Sequence, residues 1–210
     1  ETSAQVDKLL QGRCKKELLQ CGPGGTILHA AVSSPTIRKA VFMRVLEQLP
    51  TVTLHLTDEH GQTALHASAG RLSPLLTRAL LDRMGDSALA TRTTRGWLPV
   101  ELALACRSRS SDQAAFLLQQ TQSELLQKSD LFLHCLATTC QTIPFSNVLA
   151  DFMGSPLLIA ADSHGCTPLH NALIFGHTVA AEAFLDITPR SVLSLPCEWN
   201  GMCPLELAIC

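Results

Sequence analysis

Four histidines, His29, His66, His134 and His170, stand out as residues whose chemistry can exceed packing, because imidazole serves as a general base near neutral pH and as a zinc ligand. Nine cysteines add thiols at positions 14, 21, 106, 135, 140, 166, 197, 203 and 210. Two groupings bring the two residue types together: His134 with Cys135 and Cys140, and His164 with Cys166 and His170. Their spacing argues against a metal. There is no Cys-x-x-Cys, and the adjacent His134 and Cys135 would point in different directions on a helix. The phosphate loop Gly-x-x-x-x-Gly-Lys, the elbow Gly-x-Ser-x-Gly and the helix motif His-Glu-x-x-His are all missing. Gly22-Pro23-Gly24-Gly25 has no attendant lysine and reads as a turn. The expectation is no catalytic residue, no metal and no cofactor, with buried free thiols and histidines held in structural hydrogen bonds.

The elements that position these histidines explain them better. Gly61-Gln62-Thr63-Ala64-Leu65-His66-Ala67-Ser68-Ala69 recurs as Gly165-Cys166-Thr167-Pro168-Leu169-His170-Asn171-Ala172-Leu173, and more loosely as Gly24-Gly25-Thr26-Ile27-Leu28-His29-Ala30-Ala31. Two weaker copies, starting at Gly96 and Gly201, keep Pro-x-Glu-Leu-Ala, with Glu101 and Glu206 in the histidine position. A sixth, around His134, has Ser129 in place of the glycine and Leu131 in place of the threonine. Aligned on this position, the copies fall at 29, 66, 101, 134, 170 and 206, with intervals of 37, 35, 33, 36 and 36 residues. Recurrence at a steady period is what a packing role produces.

On these residues the chain resembles the ankyrin repeat family, whose signature Thr-Pro-Leu-His-x-Ala repeats about every 33 residues. Asp58-x-x-Gly61 and Asp162-x-x-Gly165 match that family's turn. The resemblance implies an all-α ankyrin-repeat solenoid of stacked helix-turn-helix repeats joined by hairpin loops, and it covers residues 22 to 210. The repeats are placed at 22–57, 58–92, 93–125, 126–161, 162–197 and a partial 198–210, after a capping helix or repeat remnant at 1–21. The residue physics agrees. Gly61, Gly96, Gly165 and Gly201 suit turns that need positive φ. Thr63 and Thr167 suit helix caps, and Pro99, Pro168 and Pro204 suit first helical turns. Second helices are marked by apolar spacing, as in Leu75, Leu76, Ala79 and Leu80, or Val148, Leu149 and Phe152, or Ala180, Ala183, Phe184 and Leu185. Mostly extended segments such as residues 53–59 and 91–95 then lead to the next hairpin. The fourth repeat's missing glycine and threonine predict a local change in stacking.

Composition narrows the functional classes. The chain is 46% hydrophobic and 16% charged, enough apolar material for a core. Its formal charge of −2 supplies no global attraction for nucleic acid, and no apolar run is long enough for membrane insertion. Scattered cysteines in apolar runs suit a reducing compartment, so an intracellular protein, cytoplasmic or nuclear, is expected. A start at Glu1 and an end at Cys210 inside an apolar run are what an excised piece of a longer chain would show.

The resemblance implies that a partner protein lies along hairpin tips and first helices. Candidate binding residues are Arg71 at the first-helix end of the second repeat, Arg92, Arg95, Trp97, Arg107 and Arg109 around the third, and His164, Phe175 and Trp199 around the fifth and sixth. Tryptophan and arginine are favoured binding anchors, and the arginines predict an acidic or phosphorylated segment. The plainer alternative is a solubilising surface with each tryptophan folded over a neighbouring repeat. A scaffold or adaptor is the leading expectation. Two others stand beside it: the targeting module of a larger enzyme such as a ubiquitin ligase or kinase, and self-association.

Overall fold

The computed structural model describes residues 24–33, 38–69, 73–106, 111–139 and 145–209. The expected N-terminal cap at 1–21 lies outside them, as do Arg71, Arg107 and Arg109. The chain divides into two compact units, Glu1–Thr121 and Gln122–Cys210.

In the first unit the helices are α1 (Ile27–Ser33), α2 (Lys39–Gln48), α3 (Thr51–Leu54), α4 (Ala64–Ser68), α5 (Pro74–Met84), α6 (Pro99–Ala105) and α7 (Ser111–Gln120). The second holds α8 (Ser123–Leu126), α9 (Phe132–Ala137), α10 (Phe145–Ala150), α11 (Pro168–Ile174), α12 (Thr178–Ile187) and α13 (Pro204–Leu207). Short 3-10 turns occupy Asp86–Ala90, Pro156–Leu158 and Arg190–Ser194. Within each unit, first helices pack on first helices and second on second: α1 on α4 on α6 and α2 on α5 on α7, then α9 on α11 on α13 and α10 on α12.

Such short helices are marginal in isolation and owe their stability to this stacking. Leu28, Phe42, Leu46, Leu65, Leu80, Leu98 and Leu104 are fully buried in the first unit. Phe132, Phe152, Leu169 and Phe184 are buried in the second, where the Phe132 and Phe152 rings stack at 5.4 Å. Each such side chain contributes about 1.5–3 kcal/mol through its removal from water.

Three local expectations need correction. Thr53 and Leu54 are helical, in α3, and not extended. Short helical turns also close the later repeats, starting just after Gly85, Gln122, Ser155 and Pro189. Leu75 and Leu185, read as packing residues, are exposed. Each adjoins a buried neighbour, Leu76 or Phe184, and one helical residue turns a side chain about 100° around the axis. Phe152 is buried but lies in the turn beyond α10.

Candidate functional site

The repeated histidine occupies the third position of the first helix and works in two directions. The Nδ1 of His66 accepts the Thr63 backbone N–H at 3.2 Å, closing a capping box. With Nδ1 as acceptor, the proton sits on Nε2, which donates to the Trp97 carbonyl of the next hairpin at 3.1 Å. His29 does the same with Thr26 and Gln62. His170 caps its helix through Thr167 in the same way, but its Nε2 reaches the Leu195 carbonyl at the end of the Arg190–Ser194 turn, within its own repeat. Glu101 and Glu206 keep the cap by accepting the N–H of Leu98 and Cys203, at 2.7 and 2.8 Å. In the divergent fourth repeat, α9 starts from Leu131 without a side-chain cap. There the Nδ1 of His134 is met instead by Asn171 Nδ2 at 3.0 Å, which also donates to Asp162 Oδ2 at 2.9 Å. Burial holds His66, His134 and His170 below the usual imidazole range. His29, His66 and His134 are thus hydrogen-bonded ties between repeats, and His170 ties its helix to the end of its own repeat.

The hairpin tips are built by local polar contacts. Asp58 Oδ1 accepts the N–H groups of His60 and Gln62, and Asp162 Oδ1 those of His164 and Cys166. The third tip uses the Thr93 hydroxyl, which accepts the Trp97 N–H, and the sixth uses Asn200, which accepts the Met202 N–H. Neighbouring tips dock: the N–H and hydroxyl of Thr94 both donate to the His60 carbonyl, at 3.0 and 2.8 Å.

Among the described residues, each unit has a cleft beside neighbouring hairpin tips. The first, about 240 Å³, is lined by His60, Gln62, Thr93, Thr94, Arg95, Trp97 and Leu102. Arg95 is exposed and has no hydrogen bond or ion pair among the described residues. Arg92 is also exposed, but its Nη1 donates to the Gly96 carbonyl at 2.6 Å and so braces the turn. The second cleft, about 230 Å³, is lined by His164, Cys166, Asn171, Ile174, Phe175 and Trp199. Phe175 is 45% and Trp199 62% exposed, whereas Trp97 is half-buried. Trp199 is thus the more open of the two tryptophans.

Of the expected residues, the structure brings Arg95 and Trp97 together in one cleft and His164, Phe175 and Trp199 in the other. Arg92 stands behind the first as a turn brace. Leu102 and Asn171 were not anticipated as lining. They follow Glu101 and His170 directly and so occupy one position of the repeat alignment, which was the signal available.

No three histidine, cysteine or acidic side chains are grouped to hold a metal among the described residues. Burial, with the neighbouring Cys197 thiol, pushes Cys166 up to about 12, leaving it an unreactive thiol at neutral pH. Nor is any helix among the described residues long and apolar enough to cross a membrane.

No protein-family model and no curated protein matches the chain. Solved structures do resemble it. A chain from the complex of the Bd0816 predatory endopeptidase of Bdellovibrio bacteriovorus with immunity protein Bd3460 aligns over 87% of this chain and 90% of its own, with TM-score 0.62 and 16% identity. The ankyrin repeat domain of Bcl-3, described as a unique member of the IkappaB protein family, aligns over 98% of this chain and 86% of its own, with TM-score 0.57 and 21% identity. At such identities the likeness is one of fold.

Proposed function

From the all-α ankyrin-repeat fold that this chain adopts, we propose that it is a protein-interaction scaffold whose two hairpin clefts seat segments of a partner protein, without reaction chemistry of its own. The observation that carries this reading is the placement of the tryptophans. The chain has only two, and each lines a cleft between neighbouring hairpins, one per unit. A large aromatic left accessible in a concave site is the usual anchor of a protein interface. One of the similar structures is itself a complex with a protein partner.

For the first cleft the proposed ligand is an acidic or phosphorylated segment, engaged by Arg95 beside Trp97. A guanidinium presents a planar fork that fits carboxylate or phosphate. The described cysteines Cys106, Cys135, Cys166, Cys197 and Cys203 are not joined in disulfides, which supports an intracellular setting. The same clefts would serve recognition whether the array acts as an adaptor or as the targeting region of a larger enzyme.

The test is retention from cell extract on the immobilised chain, compared with Arg95→Glu/Trp97→Ala. Retained protein should fall about tenfold or more, as for loss of hot-spot residues, while the variant keeps a cooperative thermal transition, its midpoint lowered only by the lost part of the half-buried Trp97 surface. Phosphatase treatment of the extract separates a phosphorylated ligand from a merely acidic one. Equal retention by the folded double variant would refute the assignment of the first cleft.

A further inference from the structure

We propose that the second cleft binds an arginine side chain from a basic segment of the partner. This rests on reading the clefts as partner sites and adds the chemistry of one ligand.

The first observation is a charge division that the net value of −2 conceals. Residues 122–210 carry eight acidic side chains against two basic ones, Lys128 and Arg190, while residues 1–121 carry ten against fourteen. Seven of the eight acids are exposed, and none pairs with lysine or arginine among the described residues. The second unit therefore presents uncompensated negative potential, which attracts and orients a cationic partner.

The second observation is the construction of the cleft. Its accessible wall is apolar and aromatic, made by Ile174, Phe175 and Trp199. Its volume of about 230 Å³ gives room for a single long side chain and falls below the usual size of a small-molecule pocket. Glu198 stands at its rim. That residue precedes Trp199, and its side chain crosses the turn at Gly165, where an added Cβ would lie 2.5 Å from Glu198 Cγ. Gly165 separates His164 and Cys166, both of which line the cleft. Asp162, by contrast, is engaged internally by His164, Cys166 and Asn171, so Glu198 is the rim carboxylate open to a ligand.

An apolar slot with an aromatic face and a carboxylate at its edge matches arginine. Its three methylenes lie along apolar surface, its guanidinium stacks on an indole, and its N–H fork meets a carboxylate. A leucine would fill the slot but make no use of Glu198 or of the surrounding potential. An acidic residue would be repelled by both.

The experiment uses the whole chain with Trp97→Phe, so that Trp199 is the sole tryptophan reporter. The probe is an acetylated, amidated hexapeptide of alternating arginine and serine, with its citrulline counterpart as the neutral isostere. Saturable change of Trp199 emission is expected. Binding should weaken about tenfold or more with citrulline, Glu198→Gln or Phe175→Ala, and several-fold between about 50 and about 300 mM salt. Glu198 and Phe175 are exposed, so both variants should keep the parental thermal midpoint. Equal binding of the citrulline peptide, indifference to both substitutions, or no saturable response would overturn the proposal. So would sedimentation showing self-assembly that Glu198→Gln abolishes, since a second copy would then own the cleft. A Trp97 response to an acidic phosphopeptide, read in Trp199→Phe, depends on the first cleft alone, so the two readings fail separately.

Discussion

His66 and His170 each spend one imidazole on two tasks, capping a helix through Nδ1 and, through Nε2, tying a later carbonyl: that of Trp97 in the next hairpin for His66, that of Leu195 in its own repeat for His170. Both tasks require the neutral ring, because protonation would turn the Nδ1 acceptor into a donor facing a backbone N–H. Burial is the largest influence on His66, His134 and His170. Asp58 raises and His29 lowers His66, while Asp162 raises both His134 and His170 and Asp130 adds to His134. The net folded values lie below the ordinary 6.5, so the unfolded chain takes up protons first as pH falls. Their contribution to stability is therefore fully present above about 6.5 and is lost on acidification through the window between the unfolded and folded values. Urea unfolding between about pH 7.5 and about pH 5.5 should show stability falling below about 6.5. His170→Gln should cost about 1–3 kcal/mol at the upper end, through loss of the part-buried bond to the Leu195 carbonyl, and should flatten the slope. An equally steep profile in that variant would remove the histidines as its cause.

At the scale of the hairpin, one glycine position carries two different constraints. Gly61 and Gly96 occupy the same place in successive repeats, with φ of 70° and 83°, so both resist a side chain for the same conformational reason. Their surroundings differ. A Cβ on Gly61 would lie 2.7 Å from the Thr94 backbone nitrogen of the docked hairpin, whereas one on Gly96 meets nothing within 4 Å. Gly61→Ala should therefore be less stable than Gly96→Ala by about 1–3 kcal/mol, the usual cost of overpacking, as measured by urea unfolding. Equal losses would mean that the docked hairpin yields freely. The glycines themselves were legible in the sequence, since turn chemistry is local. The docking clash was not, because Thr94 lies 33 residues from Gly61 and is brought there only by stacking.

At the scale of the molecule, each compact unit is stabilised by buried apolar side chains that no single repeat can enclose. In the second unit the stacked Phe132 and Phe152 sit among these, both fully buried. Phe152→Ala should cost about 3–5 kcal/mol, read as lost amide-exchange protection in residues 122–210; unchanged protection would show that the site collapses without penalty. What the sequence by itself determined was the repeat: its steady period, its turn glycines, its helix starts and the recurring histidine, because each depends on residues a few positions apart and recurs in register. It also marked Arg95, Trp97, His164, Phe175 and Trp199 as residues at tips and helix ends. The tertiary structure decided which of them share a cleft, that Arg92 braces a turn, and that Asn171 meets the His134 ring in the repeat where the cap is missing. It also decided that Leu75 and Leu185 face solvent beside buried neighbours. These outcomes turn on side-chain direction and on contacts between residues some 30 or more positions apart in the chain, and such contacts exist only once the repeats have stacked.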